Sequence, residues 1–295
     1  MSIKNKGESN MKCIYHSKDL DGIMGGYIVK RAFRNCEMIP YDYIDELPVN
    51  KLKDGDKDET IIVVDISLRI DQLSALLSYK KIIWIDHHIK SKEVYENILN
   101  SENALSKSRL VDFYFNTDVS ACYLAYQYFN KNKKVPVGIT LLSLYDTGKI
   151  DDKRVIPFNY GVKSFDPLND ESILNDIYNG SANLKNIIEI GKRIEKYHHF
   201  FLELNFGSMA NEVSFGGKSA IAVNIIGIDS FILYKYWNKK YDLLILYYRT
   251  MDKKWKVSVY SRSSDINVSE LCSKYGGGGH AKAGGFKTSV LPFAI

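Results

Sequence analysis

Cysteine is sparse in this chain: Cys13, Cys36, Cys122 and Cys272 lie far apart among 295 residues and form no Cys-x-x-Cys pair. That spacing argues against a thiolate zinc site or a disulfide framework and points to reduced thiols in a cytosolic setting. No apolar run approaches the length of a membrane span. Residues 1–10, Met1 to Asn10, lack the apolar core of a signal peptide, so they are expected to be a flexible tail and the protein to be cytoplasmic, with no membrane partner. An excess of one charge is missing too: 40 Lys+Arg against 35 Asp+Glu leaves +5. Bulk polyanion binding therefore gets little support, and any nucleic-acid contact should be local, in a cleft. There is no internal repeat and no low-complexity segment.

What is present is ample apolar material: 45% hydrophobic and 13% aromatic residues over 295, enough for two domains with real cores. The first half alternates short β-branched runs with helical patterns. Strands are expected at 11–16, 60–66 and 81–86, and helices at 22–34 and 70–79. Another helix opens near Thr117-Asp118-Val119-Ser120, with Thr117 or Asp118 as its cap. This is the βαβ rhythm of a parallel sheet. A charged stretch, Asp151 to Arg154, leads into a Pro- and Asn-containing segment from Pro157 to Pro167. A helix from about Leu184 to Leu202 then carries Ile187, Ile188, Ile194, Tyr197 and Phe201 near helical spacing. Strands follow at 219–226, 242–249 and 255–261. The fold class expected is α/β: an N-terminal parallel-sheet domain over 11–183, a connector helix over 184–204, and a smaller mixed α/β domain over 205–295.

Four acidic motifs are expected at strand ends. Asp86-His87-His88 follows the apolar run Lys81 to Ile85; Asp19 and Asp21 follow the run ending at His16; Asp65 follows Ile61 to Val64; and Asp146 stands in Leu144-Tyr145-Asp146-Thr147-Gly148. Each of the first three lies where an open α/β sheet exposes its functional crevice. Taken singly, an Asp-x-Asp is most often a solvated turn, Asp65 a helix cap and Asp146 turn chemistry. Their coincidence with a His pair reverses that reading. The candidate metal ligands are His16, Asp19, Asp21, Asp65, His87 and Asp146, more than one ion needs. Carboxylate and imidazole donors suit Mn²⁺ or a similar first-row ion. Two such ions about 3.5–4 Å apart can share a carboxylate, activate water and stabilise the attacking and leaving oxygens of a phosphoryl group. Asp65, alone after its strand, is the natural bridging candidate, and phosphoester hydrolysis the chemistry that fits.

The C-terminal part adds the run Gly276-Gly277-Gly278-Gly279-His280, which follows a helical pattern of Val268, Leu271, Cys272 and Tyr275. It serves either as a helix stop or as an anion cradle of exposed backbone N–H groups. Arg262, at a strand end, is a candidate phosphate clamp or a surface ion-pair residue. Asn159, Tyr160 and Lys163 are weaker candidates for lining the cleft. His198 and His199 fall inside the connector helix and read as packing or surface residues.

In these motifs and in their order the sequence resembles the DHH phosphoesterase superfamily, named for the triplet seen here as Asp86-His87-His88, with a C-terminal DHH-associated domain of the nanoRNase or oligoribonuclease kind. The resemblance runs from about residue 11 to 290. It implies two Mn²⁺ ions: one held by Asp19, Asp65 and a histidine, the other by Asp21, Asp65, His87 and Asp146. His16 lies three residues before Asp19, where some relatives carry a histidine four before. The resemblance further implies that His88 faces the phosphate, that Asp86 supports the ligand shell, and that Gly277, Gly278, Gly279, His280 and Arg262 bind substrate. The activity expected is removal of nucleotides from short single-stranded RNA or DNA. Alternatives are hydrolysis of a cyclic dinucleotide or of a 3′-phosphorylated adenosine nucleotide and, from another class, a nucleotide-binding module without catalysis. The intact acidic and histidine residues argue against the last. A homodimer is left open as an assembly.

Overall fold

The computed structural model of the chain describes residues 11–43, 46–52, 59–78, 80–102 and 104–295. The expected tail at 1–10 lies outside them. Contacts divide the chain into two compact units, Met1–Lys192 and Arg193–Ile295.

In the first unit the elements run β1 (Lys12–His16), α1 (Leu20–Ala32), β2 (Glu37–Tyr41), α2 (Val49–Leu52), β3 (Thr60–Val64), α3 (Ile70–Leu77), β4 (Lys81–Asp86), α4 (Ile89–Asn100), α5 (Ala104–Arg109) and β5 (Leu110–Phe115). They continue through α6 (Ala121–Phe129), α7 (Val137–Asp146), α8 (Val155–Lys163), α9 (Ser172–Asn179) and α10 (Leu184–Met209), the last crossing into the second unit. The five strands form an all-parallel sheet in the order β2-β1-β3-β4-β5. Because side chains alternate across a strand, Ile62, Val64, Ile83 and Ile85 join a core beneath α1, α6 and α7, while Ile61, Val63, Ile82 and Trp84 join one beneath α3 and α4. Both faces are covered, which is why these strands read as continuous apolar runs. In this order the chain reverses direction between β1 and β3, so the crevice opens at their C-terminal ends.

Two strands of this sheet had no signal of their own. Strand β2 contains Pro40, tolerated because β2 is an edge strand; β5, on the opposite edge, is Leu-Val-Asp-Phe-Tyr-Phe with mostly half-buried side chains. The stretch from Pro157 is helical rather than irregular: Pro157 is the third residue of α8, in the first turn, where its missing N–H has no helical partner to lose. Helix α6 begins at Ala121 with Ser120 as N-cap, not at Thr117 or Asp118. Its cap is tertiary, since Asp21 accepts from Ala121 N and Cys122 N, both at 2.8 Å.

The second unit holds β6 (Ala210–Phe215), β7 (Lys218–Asn224), α11 (Ser230–Leu233), β8 (Leu243–Arg249), β9 (Trp255–Ser261), α12 (Val268–Ser273), β10 (Gly278–Gly279) and β11 (Ala283–Thr288). Its sheet has the order β10-β11-β9-β8-β7-β6 and is mixed, with β7 and β8 parallel and the other pairs antiparallel. Val257, Val259, Ile245 and Phe286 pack there against Val268 and Cys272 of α12. His199 shares hydrogen bonds with Tyr236, through its backbone carbonyl at 2.9 Å and its ring at 3.3 Å, so it is a packing residue as expected. No described helix is long and apolar enough to cross a membrane.

At the N-terminal edge of the first sheet, Lys80 Nζ lies 2.6 Å from Glu59 Oε2 with both side chains buried. Removing the carboxylate takes the charge partner from a buried ammonium, a loss of about 3–5 kcal/mol, whereas replacing both with apolar residues is often near neutral. Urea unfolding should therefore show Glu59→Ala losing that much and Glu59→Leu/Lys80→Met losing far less.

Candidate metal centre

The sheet order sets β1, β3 and β4 side by side, so whatever follows their C-terminal ends meets. His16 ends β1; Asp19 caps α1, accepting from Gly22 N at 2.9 Å; and Asp21 sits in that helix's first turn. The close approach of α1 to β1 requires glycine, because a Cβ on Gly22 would lie 2.1 Å from the His16 carbonyl oxygen. Asp65, just past β3, has φ +59°, a left-handed conformation that Asp adopts more readily than most residues. Its turn is fixed from β4: Asp65 N donates to Ile85 O at 3.1 Å, and the buried Trp84 Nε1 donates to Ile66 O at 2.9 Å. Asp146, expected at a strand end, instead arrives as the last residue of α7, a helix whose apolar face packs on the sheet.

Asp65 turns its two carboxylate oxygens to different neighbours. Oδ2 faces His16 Nδ1 at 3.5 Å, and His16 Nδ1 lies 3.0 Å from Asp19. Oδ1 faces His87 Nε2 at 3.4 Å, and His87 Nε2 lies 3.4 Å from Asp146 Oδ2 and 3.8 Å from Asp21 Oδ2. Two of the donor sets that result are His16-Asp19-Asp65 and Asp21-His87-Asp146, each with donor atoms within 4.8 Å of one another; Asp65, Asp86, His87 and His88 make a third that meets the same distance. Every candidate ligand expected from the sequence, His16 included, is brought into this cluster.

The electrostatics match a cation site. Burial opposes a charge on His16, yet hydrogen bonds to Asp19 and Asp65 raise its pKa to about 10. Against the same burial, Asp65, Asp146 and Asp21 raise that of His87 to about 11. Asp65 is held well below the usual carboxylate range despite its burial, by hydrogen bonds from His16 and His87. Burial and the neighbouring Asp65 push Asp21 up to about 6, and burial with the charge of Asp21 pushes Asp146 well above its ordinary value. Asp146 Oδ2 is buried without a hydrogen-bond partner. Protons on the histidines thus occupy the place of cations, and an oxygen-and-imidazole set with an orphaned carboxylate oxygen fits divalent metal.

Asp86 lies fully buried behind this cluster, its Oδ1 2.7 Å from His88 Nδ1 and its Oδ2 accepting from Ser91 Oγ. His88 caps α4 and remains partly exposed, its pKa raised to about 9 by Asp86 against the effect of burial. Ser91, Ser67 and Tyr43 carried no motif and were not singled out from the sequence. Tyr43 packs its ring 5.3 Å from that of His16 and accepts from Ser67 N at 2.8 Å. Asn159 and Tyr160 are buried in α8, while Lys163 places its ammonium 5.5 Å from the Tyr145 ring centroid.

The remaining candidates belong to the second unit. Arg262 donates to the carbonyls of Trp237 at 3.0 Å and Tyr234 at 2.5 Å, with its guanidinium 4.3 Å from the Trp237 ring centroid. Gly276, at φ +75°, ends α12, and Gly277 N donates to Cys272 O at 3.1 Å. A Cβ on Gly277 would lie 2.1 Å from Gly285 O, Gly278 and Gly279 pair with β11, and His280 N donates to Ala283 O at 2.7 Å. The run is therefore both a helix stop and a closely packed hairpin.

Residues 12–148 match the model of the DHH family, N-terminal domain. The chain carries a DHH-family N-terminal domain over those residues. It is accordingly an enzyme of the metal-dependent phosphoesterase class. No curated protein matches it. Among solved structures, it is similar to the DHH domain of a member of a ribosomal-protein family, at 15% identity over 95% of this chain and 82% of that one, TM-score 0.62. It is also similar to the pGpG-specific phosphodiesterase PggH from Vibrio cholerae, at 12% identity over 95% and 94%, TM-score 0.50. A third is RecJ in complex with Mn²⁺ from Thermus thermophilus, at 13% identity over 95% of this chain and 50% of that one, TM-score 0.50. At such identities the likeness is one of fold.

Because His16 and His87 must lose protons to become ligands, divalent metal binding to this DHH domain should release protons and tighten as pH rises from 6 to 8. Calorimetry in buffers of different ionisation enthalpy should show net release at pH 7; uptake or no exchange would contradict the assignment.

Proposed function

We propose that the chain is a Mn²⁺-dependent phosphodiesterase that hydrolyses short single-stranded oligonucleotides to mononucleotides, using two ions that share Asp65. The observation that carries this is the division of the Asp65 oxygens between two donor sets. His16, Asp19 and Asp65 would hold one ion, and Asp21, Asp65, His87 and Asp146 the other. When bound, the pair supplies an activated water and positive charge for the phosphoryl group. The chain's own part is positioning and charge stabilisation: Asp86 fixes the His88 imidazolium so that its Nε2 edge would donate to a phosphate oxygen as negative charge develops there. Tyr43 packs its ring beside that of His16. In the second unit, Gly277, Gly278, Gly279, His280 and Arg262 are proposed as the substrate-binding residues of a DHH-associated domain. Arg262, anchored by two carbonyls, is rigid enough to present its remaining N–H groups to a phosphate. The names of two structures of like fold, a pGpG-specific phosphodiesterase and RecJ with Mn²⁺, agree with a nucleotide substrate and with this metal.

Purified protein should shorten 5′-labelled RNA or DNA oligomers of two to five nucleotides stepwise with Mn²⁺ and not with chelator. Inactivity on every oligomer with metal bound would move the reading to cyclic dinucleotides or phosphorylated mononucleotides. Asp65→Asn is the informative variant, because Asn tolerates the left-handed backbone that Ala would strain by about 1–2 kcal/mol. It should lose more than the ~10–100-fold that outer-shell partners of a metal site cost, with the thermal midpoint of the metal-free protein retained. A folded Asp65→Asn enzyme with normal kcat would overturn the shared-carboxylate mechanism.

A further inference from the structure

Behind His88 lies a chain of hydrogen bonds that no motif announced. His88 Nδ1 is 2.7 Å from Asp86 Oδ1, and the second oxygen of Asp86 accepts from Ser91 Oγ. Ser91 is fully buried in the first turn of α4, and its backbone N–H donates to the His88 carbonyl at 2.9 Å. Its hydroxyl also lies 3.2 Å from Ser67 Oγ. One hydroxyl proton cannot serve two acceptors, so with Ser91 donating to Asp86 it is Ser67 that supplies the proton of the 3.2 Å contact. Ser67 is in turn pinned through its backbone N–H to Tyr43 Oη at 2.8 Å. The path therefore runs from the loop after β3, through two hydroxyls, to the carboxylate that holds His88.

We infer that Ser91 is a positioning residue that acts through Asp86 to fix the His88 ring, and that Ser67 sets the direction of the Ser91 hydroxyl. This inference rests on the reading of the site as a phosphodiesterase in which His88 meets the phosphate. The physical reason is rotational. A carboxylate turns about its Cβ–Cγ bond unless both oxygens are engaged, and Asp86, fully buried, has one oxygen on His88 and the other on Ser91. Without the Ser91 hydroxyl, one oxygen is left with a buried, unmade bond, and the carboxylate is free to swing toward whatever donor satisfies it. The ring it carries then leaves the geometry in which it meets a phosphate, the kind of outer-shell loss that costs ~10–100-fold. The hydrogen bonds of Ser91 go to Asp86, Ser67 and the His88 carbonyl and not to the six candidate ligands, so its effect should fall on His88 rather than on metal affinity.

The test is a double-mutant cycle of Ser91→Ala and Asp86→Asn in the full chain, with kcat and KM on a dinucleotide, Mn²⁺ affinity by calorimetry and thermal midpoints. Ser91→Ala should lower kcat about 10- to 100-fold, with KM and Mn²⁺ affinity within about twofold. Added to Asp86→Asn it should cause no further loss, because the effect of Ser91 is exerted through that carboxylate. Losses that multiply, or a Ser91→Ala enzyme with normal kcat, would overturn the inference. A second readout is independent of activity: in ¹⁵N-labelled protein the His88 Nδ1–H proton should be a slowly exchanging, downfield resonance that broadens or vanishes in Ser91→Ala. A resonance unchanged in the variant overturns the positioning role. A wild type that hydrolyses no phosphodiester, yet whose resonance is lost in Ser91→Ala, overturns the phosphodiesterase reading instead and keeps Ser91 as the anchor of His88.

Discussion

Crowded carboxylates repel one another, and the first unit of this chain is built around holding several of them together. Asp19, Asp21, Asp65 and Asp146 converge on two histidines at the C-terminal ends of β1, β3 and β4, with Asp86 just behind. In the metal-free state the repulsion is relieved by protons: His16 and His87 are held charged, and Asp21 and Asp146 are pushed toward the neutral form. Cations are the natural replacement for those protons. Asp65, ionised and facing both donor sets, is the group on which the arrangement turns.

Several features of the fold make sense only as means of fixing that aspartate and its neighbours. The left-handed turn at Asp65 is held by a backbone bond to Ile85 and by Trp84 reaching across to Ile66. Gly22 lets α1 close onto the end of β1, which brings Asp19 and Asp21 beside His16. Asp21 does two jobs, since it binds two free backbone N–H groups at the start of α6 while keeping lone pairs for the site. Its position is thereby fixed by a helix 100 residues away in sequence, and no rearrangement of that carboxylate is possible without uncapping α6.

The parts legible in the sequence were those with a period or a strong local signature. Strands β1, β3 and β4 are buried on both faces and announce themselves as apolar runs, and the motifs at their ends fell where a parallel sheet places its chemistry. The edge strands β2 and β5 lack that burial, and Pro40 in β2 argues locally against a strand. The cap of α6 could not be read because Asp21 supplies it from a distant segment. Ser67 and Ser91 were invisible for the same reason: a hydroxyl acquires its role only from the carboxylate it meets, and that meeting depends on how β3 and α4 are brought together. His16 was readable as a ligand by type, and its distances to Asp19 and Asp65 then came from the packing of α1 on β1.

In the proposed mechanism Asp65 is shared between two metal ions. The most direct measurement is anomalous diffraction at the manganese edge from crystals of the protein grown with Mn²⁺. Two anomalous peaks per chain are expected, about 3.5–4 Å apart with one Asp65 oxygen on each. A single peak at full occupancy, or two peaks with Asp65 bound to only one, would contradict that sharing.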